Sequence, residues 1–164
     1  MKDIKGTTKI CGVIGNPIEH TLSPFIHNTL AEKTGLDLAY VPFLVKPDKE
    51  GEQDGGNAAD EILKLREESL GKAIEGAYAL GLLGLNITVP YKRTVMNFVK
   101  ETDPIAKKVG AVNTLVRIDG GYKGYNTDVA GLGRALEADN IPMEGDDILV
   151  LGAGGAARAV GFLM

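Results

Sequence analysis

Short apolar runs alternate along the chain with apolar residues at helical spacing. Residues 9–15 and 38–45 have the length and composition of strands, and Pro42 in the second run suggests an edge strand or an irregularity. From residue 59 to residue 80 the apolar positions recur at helical spacing, which predicts a long helix. Strands that alternate with helices predict βαβ units and a mostly parallel sheet.

Residues 85–92 read Leu-Asn-Ile-Thr-Val-Pro-Tyr-Lys and alternate apolar with polar side chains, as a half-buried strand does. The alternation predicts an apolar face that comprises Leu85, Ile87 and Val89. The opposite face carries the amide of Asn86 and the hydroxyl of Thr88. Pro90 stops the strand and suits a helix start, and the amine of Lys92 follows at once. These polar groups suit a small ligand that is rich in oxygen atoms.

Ser23 and Pro24 form a helix-start signal, because serine can cap free backbone N–H groups and proline fits the first helical position. We expect this helix to run to about Lys33 and to stop at Gly35. A helix N-terminus also attracts anions, so the hydroxyls of Thr21 and Ser23 are candidate ligands for a carboxylate. A helix cap is the simpler interpretation, and both can hold together.

Residues 111–125 predict two strands joined by a hairpin at residues 119–121. Asn113, near the start of the first strand, either closes a turn or faces the polar side of the strand at 85–89. Asp128 precedes an apolar helical pattern, and an aspartate in that position is most often a helix cap.

A predicted strand at residues 147–151 leads into a glycine-rich loop and a final helix. The loop comprises Gly152, Ala153, Gly154, Gly155 and Ala156. Its Gly-x-Gly-x-x-Ala pattern, placed between a strand and a helix, matches the fingerprint of dinucleotide-binding folds, where glycines let the backbone approach a pyrophosphate. A plain tight turn is the alternative. The residue that separates NAD from NADP lies about 20 positions further on in such folds, which is past Met164.

Composition excludes several classes of function. A net charge of −4 and a pI near 5.2 argue against a nucleic-acid-binding surface. The chain shows neither a signal peptide nor an apolar run that could span a membrane, and its one cysteine, Cys11, fits a buried thiol in a reducing cytoplasm. His20 and His27 lack a second ligand at metal spacing, so we expect no metal site. Residues 46–57 are polar and glycine-rich, and we interpret them as an exposed loop without assigned chemistry.

Five motifs in order resemble the shikimate dehydrogenase family. They are Asn16-Pro17-Ile18 with Ser23-Pro24, the stretch 86–92, Gly110-Ala111-Val112-Asn113-Thr114, Asn126-Thr127-Asp128 and Gly152-Ala153-Gly154-Gly155-Ala156. The resemblance implies reduction of 3-dehydroshikimate to shikimate with NADPH, with Lys92 as the catalytic amine and Asp128 as its partner. The side chains implied to bind the substrate are Thr21, Ser23, Asn86, Thr88 and Asn113, and the glycine-rich loop would bind the cofactor.

The resemblance also implies a layout. We expect a three-layer α/β/α substrate-binding domain over residues 1–125, followed over 126–164 by the beginning of a truncated, Rossmann-like NADP-binding domain; such a chain is expected to have little or no activity. The family usually has serine where this chain has Thr21, so acceptance of quinate is one alternative, and a substrate-binding module without redox activity is another. The expected partner is a small-molecule substrate, and the oligomeric state is left open.

Overall fold

The computed structural model describes residues 3–47, 58–141 and 147–164. Within them, one sheet of six strands crosses the molecule: β1 Lys9–Gly15, β2 Leu38–Leu44, β3 Gly84–Ile87, β4 Glu101–Thr102, β5 Thr114–Ile118 and β6 Gly121–Tyr125. The strand order is β2-β1-β3-β5-β6-β4. The pairs β1–β2, β1–β3 and β4–β6 are parallel, and the pairs β3–β5 and β5–β6 are antiparallel. The predicted mostly parallel sheet is confirmed.

Helices alternate with strands along most of the described chain, and two helices follow the last strand. The helices are α1 Ser23–Lys33, α2 Ala58–Ala79, α3 Pro104–Val109, α4 Asp128–Ala138 and α5 Gly155–Leu163, and a 3-10 helix covers Thr94–Phe98. The predicted helix at 59–80 is therefore confirmed as α2, and the predicted hairpin is β5–β6.

Different helices cover the two faces of the sheet. On one face, Ile14 and Leu85 pack in a cluster with Leu70 of α2, and all three are almost completely buried. On the other face, Val13 and Tyr40 belong to a separate cluster, and α1 lies against β1 and β2. Because neighbouring residues of a strand point to opposite faces, the apolar runs of a doubly covered sheet need no alternation. The expected α/β/α layering is confirmed.

Strand β2 lies at the edge of the sheet, as Pro42 predicts. The side chain of Asn28, on α1, occupies part of this edge: its Nδ2 donates to the Tyr40 carbonyl oxygen and its Oδ1 accepts from the Tyr40 N–H, both at 2.9 Å. A side-chain amide thus satisfies two backbone groups that an open edge leaves unpaired.

Helix α1 has the predicted bounds, but Ser23 does not cap it as predicted. Gly35 has a φ of +70°, and the two backbone hydrogen bonds around it form the glycine C-cap known as the Schellman motif. Ser23 is the first helical residue, and its own backbone N–H donates to Thr21 Oγ1 at 3.3 Å. The predicted serine cap is wrong, because the Ser23 hydroxyl accepts a hydrogen bond from Thr21 Oγ1 instead.

Three further expectations need correction or lie outside the structure. Strand β3 ends at Ile87, and Val89, expected on the buried face, is 62% exposed. The predicted strand at 147–151 is not a strand, because none of the described residues form a strand beside it; its apolar side chains are exposed. Most of the loop expected at 46–57 falls at 48–57, outside the described residues.

Candidate functional site

Lys92 and Asp128 form an ion pair in which Lys92 Nζ lies 2.7 Å from Asp128 Oδ2. Lys92 follows β3 on an irregular turn, and Asp128 is the first residue of α4. The two side chains are 20% and 30% exposed, so the pair is only partly accessible to solvent. A charged amine and a carboxylate at hydrogen-bonding distance are suited to proton exchange with a bound ligand.

Asp128 is free for this contact because another residue caps α4. Asn126 Oδ1 accepts hydrogen bonds from the N–H groups of Asp128 and Val129 at 3.0 and 3.3 Å, and Asn126 Nδ2 donates to the Ala111 carbonyl. Asn126 thus satisfies the N–H groups that an aspartate cap would have occupied. The interpretation of Asp128 as a helix cap is wrong.

Asn113 holds the other oxygen of the carboxylate. Its Nδ2 donates to Asp128 Oδ1 at 2.8 Å, while its Oδ1 accepts from the Thr127 N–H at 3.0 Å. Asn113 is only 8% exposed, and it precedes β5, whose Thr114 pairs with Asn86 of β3. The side chain of Asn113 thus contacts Thr127 and Asp128, and it reaches Asn86 of β3 only through Thr114.

Asn86 and Ser23 meet through a residue that the sequence did not single out. The Tyr40 hydroxyl donates to Asn86 Oδ1 at 2.6 Å, and Ser23 is near enough to influence the same phenol. Thr21 Oγ1 donates to Ser23 Oγ at 3.2 Å. Burial raises the pKa of the Tyr40 phenol to about 12; the nearby Cys11 adds to the rise, and the nearby Ser23 side chain opposes it. Tyr40 was missed because an aromatic residue in a strand is ordinary core composition.

Thr88 lies just beyond the C-terminal end of β3, with its methyl group against Gly15 at the end of β1. Side chains that follow neighbouring parallel strands share one edge of the sheet, which is where α/β folds place ligands. The structure therefore brings together on one side of the sheet the candidate substrate-binding residues, which are Thr21, Ser23, Asn86, Thr88 and Asn113.

The glycine-rich loop reaches this cluster at one point. A Cβ atom added to Gly155 would lie 2.9 Å from Cδ of Lys92, so the absence of a side chain there lets the stem of Lys92 pack against the start of α5. Gly152 has a φ of +112°, which only glycine adopts readily, and nothing lies within 4 Å of a Cβ on Gly154. Together with the exposed Ala153 and Ala156, this loop has the open backbone that a pyrophosphate requires at a helix N-terminus.

Comparison with known proteins identifies the family. The family model described as the shikimate dehydrogenase substrate binding domain matches residues 13–54 and 49–115, more than half of the chain. The chain belongs to this family. The family match includes Ser23, Asn86, Lys92 and Asn113 but ends before Asp128 and the glycine-rich loop.

Individual shikimate dehydrogenases agree along more of the chain. The shikimate dehydrogenase (NADP(+)) of Bacillus cereus strain B4264 is 44% identical over 155 residues, which cover 94% of this chain and 49% of the relative. The structure of the enzyme from Aquifex aeolicus has a TM-score of 0.82 and 37% identity, covering 98% of this chain and 53% of that one. The Thermus thermophilus enzyme, solved with NADP(H) and shikimate, gives a TM-score of 0.74 at 32% identity, covering 94% and 51%.

The chain spans about half the length of these shikimate dehydrogenases. Among the residues that the structure describes, no helix is long and apolar enough to cross a membrane. The same residues contain no group of three or more His, Cys, Asp or Glu side chains placed to hold a metal ion.

Proposed function

We propose that the protein is an NADP-dependent shikimate dehydrogenase, an oxidoreductase that reduces 3-dehydroshikimate to shikimate in aromatic amino-acid biosynthesis. The observation that carries this proposal is the Lys92–Asp128 pair, which lies between the polar side of β3 and the glycine-rich loop. The name of the Bacillus relative and the NADP(H)–shikimate complex of the Thermus relative support it. The partner is therefore a small molecule, and a biosynthetic role fits the cytoplasm.

The substrate lies along the polar side of β3. Its carboxylate binds the hydroxyls of Thr21 and Ser23 at the start of α1, where the helix dipole favours a negative charge. Its ring hydroxyls bind the side chains of Asn86, Thr88 and Asn113. Hydroxyl and amide groups discriminate strongly between ligands that carry matching hydroxyls and ligands that lack them, because an unmatched buried polar group is costly.

Lys92 moves the proton. In the reducing direction it donates a proton to the carbonyl oxygen as that oxygen becomes a hydroxyl. Asp128 holds the amine with Oδ2, while Asn113 fixes Oδ1. The residues that bind NADP are Gly152, Ala153, Gly154, Gly155 and Ala156, and NADPH, when bound, supplies the hydride to the carbonyl carbon.

We further propose the division into a substrate-binding domain at 1–125 and the beginning of a cofactor-binding domain at 126–164. Three observations support a boundary near 126: β6 ends at Tyr125, α4 starts at Asp128, and α4 packs mainly on α5. Lys92 and Asp128 then belong to different domains, so the ion pair lies at their junction.

Thr21 raises the possibility of a second substrate. Its hydroxyl reaches Ser23 as a serine would, but its extra methyl group changes the shape of the carboxylate site. An assay with quinate, a bulkier relative of shikimate, tests whether the methyl group of Thr21 widens or narrows the range of substrates.

The experiment is a spectrophotometric assay of the full-length protein. We expect NADP to be reduced in the presence of shikimate, with slower or absent reduction when NAD replaces NADP. Comparable kcat/KM for quinate would make the protein a dual-specificity enzyme. Calorimetric binding of shikimate without any NADP or NAD reduction would leave a substrate-binding module, and the dehydrogenase proposal would be rejected.

A further inference from the structure

A continuous chain of hydrogen bonds joins the two ends of the candidate site, and Thr114 is its central link. Thr114 Oγ1 accepts from Asn86 Nδ2 at 3.2 Å and donates to Asn113 Oδ1 at 3.0 Å. In this series of hydrogen bonds, the Tyr40 hydroxyl precedes Asn86, and the Asp128 carboxylate follows Asn113. Thr114 is half-buried on β5, directly opposite Asn86 of β3.

The direction of each bond follows from one fixed donor. The backbone N–H of Thr127 can only donate, and it lies 3.0 Å from Asn113 Oδ1, so that atom is the acceptor end of the amide. The Thr114 hydroxyl, which faces the same oxygen, therefore donates to it. The remaining capacity of the Thr114 oxygen is as an acceptor, and it takes a hydrogen from Asn86 Nδ2.

These hydrogen-bond directions determine which atom of Asn86 is available to a ligand. Asn86 Nδ2 has its two hydrogens directed at Thr114 Oγ1 and, at 3.4 Å, at the Asn113 carbonyl oxygen. Asn86 Oδ1 accepts from the Tyr40 hydroxyl and keeps one acceptor position. A ligand therefore meets Asn86 as an acceptor, which suits a hydroxyl that donates.

We propose that Thr114 is a positioning residue, whose hydroxyl fixes the amide of Asn86 with its oxygen toward the ligand. The inference rests on the proposed function, since it assigns the bound hydroxyl to the dehydrogenase substrate. Without the hydroxyl, Asn86 Nδ2 keeps only the longer contact, at 3.4 Å, to the Asn113 carbonyl oxygen, so the amide of Asn86 is held less firmly. Asn113 keeps its backbone donor from Thr127, so the Lys92–Asp128 pair stays in place.

The test compares Thr114→Val with Thr114→Ser in the full-length protein. Valine keeps the branched shape that suits a strand and removes the hydroxyl, while serine keeps the hydroxyl. We expect Thr114→Val to lower kcat/KM for shikimate about 10-fold, mainly through KM, as loss of one positioned hydrogen bond implies. Thr114→Ser should remain within about 2-fold of the wild type, and both variants should unfold at temperatures near that of the wild type.

A double-mutant cycle tests whether Thr114 acts through Asn86. In an Asn86→Ala background, Thr114→Val should cause little further loss, because the group that it positions is already gone. Equal losses in both backgrounds would overturn the proposal, as would a Thr114→Val enzyme with wild-type KM or a Thr114→Ser enzyme as impaired as Thr114→Val. A wild-type protein without shikimate-dependent reduction of NADP would instead reject the proposed function.

Discussion

The polar side of β3 and the segment at 147–155 are held in different ways. Around β3, each amide and carboxylate of the candidate site is bound by neighbouring protein groups, so the side chains are oriented before a ligand arrives. In the second region, Leu149 and Leu151 are 84% and 87% exposed, and the glycine-rich loop that follows is open to solvent. Because the side chains along β3 are oriented by hydrogen bonds, recognition of a ligand there would depend on fixed geometry. The exposure of Leu149 and Leu151 describes this chain, which spans about half the length of its relatives.

The largest effect is expected for the amine of Lys92. Lys92→Ala should lower kcat about 10²- to 10⁴-fold, the range for a proton-transfer group, while the KM for shikimate changes only a few-fold. Steady-state kinetics of the full-length protein measure both. Lys100→Ala is the control, since Lys100 donates to the Asp119 carbonyl on the hairpin. Parallel losses in kcat and in shikimate affinity would make Lys92 a binding residue.

Substitutions of two glycines test the contact between the glycine-rich loop and Lys92. Gly155→Ala places a Cβ against the stem of Lys92, so we expect kcat to fall about 10- to 100-fold, as small displacements of reacting groups can cause. Gly154→Ala has open space around it and should instead raise the KM for NADP. If the two variants had the same kinetic pattern, the contact between Gly155 and Lys92 would have no role in turnover.

Tyr40 makes the free energy of unfolding depend on pH. The pKa of its phenol is about 12 in the fold, above the ordinary value of 10, because burial favours the neutral form. The resulting stabilisation is complete below pH 10 and is lost as the pH rises from about 10 to about 12. Between pH 8 and pH 10.5, the free energy of unfolding measured in urea should fall less for Tyr40→Phe than for the wild type. A steeper loss in Tyr40→Phe would reverse the expected sign.

The smallest effect is expected in the exposed segment. In the 164-residue chain, Leu149→Ser should change the free energy of unfolding by less than about 0.5 kcal/mol, because the leucine is already in contact with water. Leu115→Ala, at a position that is 1% exposed, should cost about 2–5 kcal/mol. Chemical denaturation measures both. A cost of several kcal/mol for Leu149→Ser would mean that this segment is packed after all.

The sequence predicted the parts of the fold that local patterns specify. The bounds of β1 and α1, the edge position of β2 and the hairpin at 119–121 follow from apolar periodicity, proline and glycine. The two-residue strand β4 was not predicted, because two residues carry no periodicity. The strand expected at 147–151 failed because an apolar run indicates the capacity to pair and says nothing about whether a neighbouring strand is present.

For the site, motifs predicted which side chains come together, and the structure supplied how they are held. The approach of Lys92 to Asp128 followed from the family resemblance, whereas the sequence pattern alone favoured a helix cap at Asp128. Tyr40 and Thr114 were missed because their bonds cross between strands, and no local pattern records cross-strand partners.

The cap that Asn126 provides has a consequence for how this site can change through mutation. The start of α4 needs an acceptor for its free N–H groups, and the ion pair needs an unoccupied carboxylate close by in the sequence. Since Asn126 supplies the acceptor for the N–H groups of α4, the Asp128 carboxylate remains available for the ion pair with Lys92. A substitution of Asn126 that removes its acceptor oxygen would leave the N–H groups of α4 to compete for the Asp128 carboxylate, and it would weaken the Lys92–Asp128 ion pair without changing either residue of the pair.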